Sequence, residues 1–352
     1  MTKSIFGGGA EFVVLMLILS MPSARSFAVP SRTRKGGLWS GIVRLFASLE
    51  ETPPVKTLYT IDCPPTKEDV LEEVVTKHCL TLDRFLESKP IAAHNREAFE
   101  RMQTIVPPGA SIVMDSGCGT GRCSTRIIGG RSPSDHWVLG IDRSLVRLER
   151  NQGYRDQQQI SNQKVGEDYD DMVWKDAEPG ASDSRSNHVD DNHQDTDRSS
   201  NILWIRAELI DFWRLMLENK ESHPWTLTNH YLLYPNPYPK TKRLKSRFYA
   251  HPGFPILLQM GGDIIIRSNW KTYLEEFAKS VLIADRVWSN AAKDGKDVHH
   301  NYARPYVEAA RMGPKRRMVE NVNTDGWSNF ERKMDKCGEP TFELLLSRSS
   351  GV

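Results

Sequence analysis

From Pro64 to Met102 the apolar positions Val70, Val74, Val75, Cys79, Leu80, Phe85 and Leu86 recur every three to four residues between charged ones. That period predicts a helical lead-in, taken as residues 60–108. From Ile112 the pattern changes to short apolar runs alternating with helical stretches. The runs are Ile112-Val113-Met114, Val138-Leu139-Gly140-Ile141, Ile202-Leu203-Trp204-Ile205, Tyr231-Leu232-Leu233-Tyr234 and Ile264-Ile265-Ile266. Strands that alternate with helices predict an α/β fold, a parallel sheet covered on both faces, within residues 109–348.

Two segments interrupt this rhythm. Residues 154–200 are rich in Asp, Ser, Asn, Gln and Gly and poor in aliphatic side chains. Such a composition buries too little apolar surface to offset the entropy of ordering, so a disordered acidic insertion is expected there. Residues 285–317 read as a second, helical insertion that turns basic at Arg311, Lys315, Arg316 and Arg317.

The 352 residues carry 47 Lys and Arg against 45 Asp and Glu, which excludes a histone-like tail protein or an acidic scaffold. A nucleic-acid surface must therefore be a local patch. The five cysteines are scattered without a C-x-x-C pair or a Cys/His cluster at zinc spacing, so no disulfide framework and no metal site are expected.

The most apolar run of the chain, Phe12 to Leu19, follows Lys3 and three glycines and is too short to span a bilayer. It reads as a signal-peptide core, with small residues Ala24 and Ser26 placed for cleavage after Ser26. An acid-free basic stretch, Ser31 to Arg44, follows. This arrangement resembles the bipartite plastid presequence of algae with complex plastids: signal peptide about 1–26, transit-like segment 27–48. Simple secretion is the alternative. No stable membrane association is expected after processing.

Asp115-Ser116-Gly117-Cys118-Gly119-Thr120-Gly121 follows the first strand and opens a helix. Glycines there permit a tight turn and a close approach to a ligand at the free N–H groups of a helix start. The spacing is G-x-G-x-G behind an acid, not the G-x-G-x-x-G of dinucleotide enzymes. It resembles motif I of class I S-adenosylmethionine-dependent methyltransferases. Asp142 ends the second strand, where an acid in doubly wound folds accepts ribose hydroxyls; a helix N-cap is the other reading. Glu208, after the third strand, stands where methyltransferases of this class hold the adenine amino group, and a solvated loop Glu is the other reading.

Tyr234-Pro235-Asn236-Pro237-Tyr238-Pro239-Lys240 ends the fourth strand, and its three prolines stiffen the loop. Lys240, Lys242, Arg243, Lys245 and Arg247 follow, interleaved with Leu244, Phe248 and Tyr249, a mixture suited to phosphates and stacked bases. With the glycine loop, Gly140-Ile141-Asp142 and the later Ser328-Asn329-Phe330-Glu331, these motifs resemble, in order, the tRNA (guanine-N7)-methyltransferase family of the single-chain bacterial type. The resemblance spans about Ile112 to Leu346.

It implies a Rossmann-like class I methyltransferase fold, mostly parallel and doubly wound, with an antiparallel C-terminal strand. It implies S-adenosyl-L-methionine held by Asp115, Gly117, Gly119, Gly121, Asp142 and Glu208. It further implies a guanine oriented by Asn236, Ser328 and Glu331, tRNA bound by Lys240, Lys242, Arg243, Lys245 and Arg247, and a monomer or homodimer. Two departures stand out: Asn236 replaces the family's acid, and Ser328 its Thr. An amino-group methyltransferase and an idle RNA-binding protein that keeps the fold therefore stay open beside guanine N7 chemistry.

A fluorescent protein fused behind residues 1–48 is expected inside the plastid of such an alga. Its appearance in the medium or the cytosol would contradict the presequence reading.

Overall fold

The computed structural model describes residues 64–129, 136–164, 201–295, 302–319 and 326–348. The targeting segment, residues 165–200 and residues 320–325 lie outside them. Seven strands form one sheet: β1 Ser111–Ser116, β2 His136–Asp142, β3 Ile202–Arg206, β4 Thr226–Leu233, β5 Asp263–Ser268, β6 Lys315–Arg316 and β7 Phe342–Leu346. Their order is β3-β2-β1-β4-β5-β7-β6. The first five are parallel neighbours, with Val113 opposite Val138 and His230 opposite Ile264. β7 runs antiparallel to β5, Ile266 facing Leu344, and β6 pairs antiparallel with β7. This is a Rossmann-like, doubly wound α/β fold, mostly parallel with its reversed C-terminal strand, as expected.

The helices are α1 Glu68–Leu80, α2 Leu82–Ser88, α3 Ala93–Ile105, α4 Arg122–Gly129, α5 Leu145–Leu148, α6 Gln152–Lys164, α7 Leu209–Glu218, α8 Phe254–Met260, α9 Lys271–Lys293, α10 Val307–Met312 and α11 Asn329–Lys336. Because side chains alternate across a strand, the sheet feeds two cores. Ile112, Met114, Leu139 and Ile141 join the larger, with α1 to α3 and α7 to α10. Val113, Val138 and Tyr231 join the smaller, with α4, α5 and Tyr154 of α6.

The helical lead-in is part of the larger core rather than an appendage, since Leu71, Val75, Phe99 and Met102 are buried in it. Polar ties fix it beside the C-terminal ends of the strands. The Asn95 amide donates to Asp211 Oδ2 (2.7 Å) and its Oδ1 accepts from the Glu208 N–H (3.0 Å). The Arg214 guanidinium donates to the carbonyls of Lys89 (2.6 Å) and Leu86 (2.8 Å).

Two expected boundaries move. Residues 154–164, assigned to the disordered insertion, are helical. Tyr154 is buried against the sheet, and the Gln157 amide donates to the Ile202 carbonyl (2.7 Å) while accepting from the Trp204 N–H (3.1 Å). Gln157 thus stands in for the missing neighbour along the edge strand β3, the kind of protection that edges need. The basic insertion expected over 285–317 is not one element. Its first residues complete α9, because Val281, Ala284, Trp288 and Ala291 continue the buried stripe through position 285. Lys315 and Arg316 form the short edge strand β6, which no apolar run announces.

Candidate active site

The C-terminal ends of β1 to β4 open onto a cavity of about 500 Å³, within the range of small-molecule sites. It lies where the strand order reverses between β1 and β4, the position at which open α/β sheets bind ligands. Gly117, Asp142, Arg143, Arg147 and Glu208 line one end. Tyr234, Pro235, Asn236, Tyr238, Lys245 and His251 line the other.

The glycine loop is folded back onto β2. The N–H groups of Gly117 and Cys118 donate to the Ile141 carbonyl at 2.7 and 3.1 Å, and Gly117, Gly119 and Gly121 all have positive φ. The Gly119 N–H donates to Asp142 Oδ2 (3.0 Å) and the Ser144 N–H to Oδ1 (2.8 Å). Each oxygen of this buried carboxylate keeps a second lone pair, so the group can still accept from a ribose diol. A side chain at Gly119 would meet nothing within 4 Å, which leaves that face open to a ligand. Gly121 instead makes room for Asn151 and the Trp204 indole.

Glu208 lines the cavity at the start of α7, and burial raises its pKa against the opposing pull of Arg143 and Lys89. Asp115 is a correction. It is 1% exposed, accepts from Ser124 Oγ (2.7 Å) and does not line the cavity, so it braces the start of α4 from beneath. Burial pushes its pKa up to about 7, with the Asp142 charge adding and the Ser124 hydrogen bond opposing.

At the other end the proline loop is strained. Tyr234 (φ 54°) and Tyr238 (φ 43°) are the non-glycine residues with positive φ among the described residues. Asn236 Oδ1 accepts from the Tyr238 N–H (3.2 Å), closing a local turn, while the side chain stays exposed to the cavity. The Arg243 guanidinium lies 4.8 Å from the centre of the Tyr238 ring.

Three residues expected to touch substrate hold this loop from behind. Arg247, assigned to RNA, is 1% exposed. It donates to the Tyr238 carbonyl (3.2 Å), the Tyr249 hydroxyl (2.7 Å) and Glu276 (2.9 Å), so its donors pin the loop to α9. Glu331 is fully buried and accepts from the Tyr234 hydroxyl (2.9 Å), Arg267 (3.0 Å) and the Trp327 N–H, with Arg317 at 3.2 Å. Ser328 caps α11, its Oγ accepting from the Glu331 N–H (3.0 Å). The S-x-x-E spacing is a helix-capping signature, and here it serves that purpose rather than gripping a base.

Lys240, Lys242, Arg243 and Lys245 are exposed, as an RNA surface needs. Phe248, one of the aromatic residues interleaved in the basic run, lines the cavity, whereas sequence reasoning missed Arg143, Arg147 and His251 on its wall, and no motif marks them. It also missed a buried polar trio under the floor. Ser116 Oγ lies 2.7 Å from His230 Nε2 and accepts from the Trp213 indole N–H (3.2 Å). Among the described residues no group of three or more His, Cys, Asp or Glu could hold a metal ion. None of their helices is long and apolar enough to cross a membrane.

No protein-family model matches the chain, and no curated sequence does. Among solved structures it is similar to an antibiotic-related methyltransferase, at 13% identity and TM-score 0.38, over 73% of this chain and 96% of that one. It is also similar to the aminoglycoside resistance methyltransferase NpmB1, at 12% identity and TM-score 0.32, over 70% and 93% of the two chains. A third is the plantazolicin methyltransferase BpumL in complex with SAH, at 10% identity and TM-score 0.26, over 80% and 90%.

Burial lowers the pKa of His78 to about 4, of His230 to about 3 and of His251 to about 4. Unfolded histidine protonates near 6.5, so below that value the unfolded chain binds more protons and stability falls as pH drops toward 4. Asp115 acts in the opposite sense, since its raised pKa stabilises the fold below about 7. Glu208, whose pKa burial also raises, acts in the same sense as Asp115, and the three histidines outweigh these two carboxyls. The melting temperature is expected to fall between pH 7 and pH 4.5, and to fall less in His251→Gln; calorimetric scans that stay level or rise toward acid would contradict this.

Proposed function

We propose that this chain is an S-adenosylmethionine-dependent methyltransferase that modifies tRNA, with guanine N7 as the acceptor atom. The reading rests on one observation. A single cavity has Gly117, Asp142 and Glu208 at the β1 to β3 end and a stiff proline loop at the β4 end, with Lys240, Lys242, Arg243 and Lys245 exposed beside it. The free lone pairs of Asp142 suit a ribose diol, the half-buried Glu208 suits an adenine amino group, and the open face at Gly119 admits a ligand against the backbone. S-adenosylmethionine bound there supplies an electrophilic methyl group.

Guanine N7 already carries an in-plane lone pair, so no residue need take a proton before attack. The work of the chain is to hold the base in line and exclude water. Asn236, at the tip of a loop fixed by prolines and buried charges, offers an amide donor to guanine O6. The resemblance of residues 1–48 to a bipartite plastid presequence is the ground for placing this activity in the plastid.

A second reading, methylation of an exocyclic amine, is favoured by the chemistry of the β4 end. With Glu331 buried behind Tyr234, the carboxylates lining the cavity are Asp142 and Glu208, both at the other end. The Asn236 amide oxygen could there accept an amine hydrogen.

Mass spectrometry of nucleosides after incubation with cofactor and transcribed tRNA separates the readings. N7-methylguanosine is expected. Asn236→Asp should keep or raise kcat, since a carboxylate stabilises the positive charge that develops on the ring, whereas Asn236→Ala should lose about 10²-fold through misalignment. An N-methylated amine with an Asp variant as slow as the Ala variant would favour the second reading, and no methylated nucleoside at all would leave an RNA-binding protein.

A further inference from the structure

We propose that Lys245, His251 and Lys89 form a phosphate site at one corner of the cavity, taking a backbone phosphate of the RNA beside the target nucleotide. This deepens the RNA reading above and rests on it only for the nature of the polymer.

The corner is assembled from three separate parts of the chain. Lys245, from the turn Thr241–Ser246, and His251, just after the turn Phe248–Ala250, both line the cavity. Lys89 does not line the cavity but is exposed beside it at the C-cap of α2, where its carbonyl is gripped by Arg214, and its ammonium lies 5.8 Å from the centre of the Phe85 ring. His251 Nδ1 accepts from the Gly253 N–H (3.0 Å). This hydrogen bond assigns the proton of the neutral ring to Nε2, which leaves that nitrogen as a donor.

The charge around this corner is predominantly positive. Among the described residues Lys77, Lys89 and Lys245 form no ion pair. The groups that face His251 are Lys89 and His78 of α1, and behind His78 stand Lys77 and Lys245. Burial, Lys89 and His78 hold His251 at about 4, and no carboxylate acts on it. Glu208 feels Lys89 but lies at the cofactor end of the cavity. Clustered cations repel one another, and an incoming phosphate offsets that repulsion. Two ammonium groups and an N–H donor match the oxygens of a phosphodiester. A bound phosphate also favours the charged imidazole, so it raises the His251 pKa, and RNA binds more tightly as pH falls through that raised value toward 4.

The test is an NMR titration of the full chain with histidine labelled at Cε1, the His251 signal being identified by its loss in His251→Gln. Titrations are run on the free protein, with inorganic phosphate, and with a hexaribonucleotide at the same phosphate concentration. The expected result is an upward move of the His251 pKa by one pH unit or more with RNA, equivalent to tenfold tighter binding to the protonated ring, and a smaller move in Lys245→Gln. Lys245 is exposed, and an unchanged signal from His230, which is buried in the core and does not feel Lys245, shows that this variant is folded. No move with RNA, an equal move in Lys245→Gln, or an equal move with inorganic phosphate would overturn the proposal. The titration does not depend on methyl transfer. A chain that shows the shift but yields no methylated nucleoside keeps the phosphate site and loses the methylation reading; one that methylates without the shift does the reverse.

Discussion

The cavity depends on the proline loop, and the loop depends on two buried ionic clusters behind it. Tyr234 and Tyr238 sit in the left-handed region, at a cost of about 1–3 kcal/mol each for a bulky residue. Glu331, fixed by Arg267 and Arg317, holds the Tyr234 hydroxyl, and Arg247, fixed by Glu276, holds the Tyr238 carbonyl. Buried ion pairs add little net stability because desolvation offsets their attraction, so what these clusters contribute is position. Removing one partner strands the other charge inside the protein. The C-terminal helix α11, distant in sequence from the cavity, thereby braces its wall from behind.

The opposite end works by a different principle. There the backbone makes the site: glycine N–H groups turn back on β2, and Asp142 is oriented by two N–H donors rather than by a charged partner held close. Arg147, 3.5 Å from Asp142 and largely exposed, leaves the second lone pairs of the carboxylate in reach of a ligand. One end is thus preorganised by main-chain hydrogen bonds and the other by buried side-chain charges.

Much of this was legible in the sequence where the signal is local. The five apolar runs are β1 to β5, and the glycine loop, Asp142, Glu208 and Asn236 all come to the mouth of the sheet. What the sequence hid is long-range burial. Arg247 belongs to a basic run of exposed neighbours, yet it alone turns inward, because Glu276 on α9 waits there. Ser328 and Glu331 carry a spacing that serves a helix cap as well as a binding motif. Residues 154–164 look too polar to fold, but Tyr154 and the amide of Gln157 are enough to seat a helix along an exposed strand edge. His251 belongs to no motif and reaches the cavity only through the packing of two short turns.

Isothermal titration of S-adenosylhomocysteine into the wild type, Gly119→Asp and Asp142→Ala tests the central claim most directly. The wild type is predicted to bind at one site per chain, and both variants to lose that binding while keeping the wild-type circular dichroism. One fills the open face beside the loop, and the other removes the ribose acceptor. Affinity unchanged in both variants, or no binding by the wild type, would contradict the account.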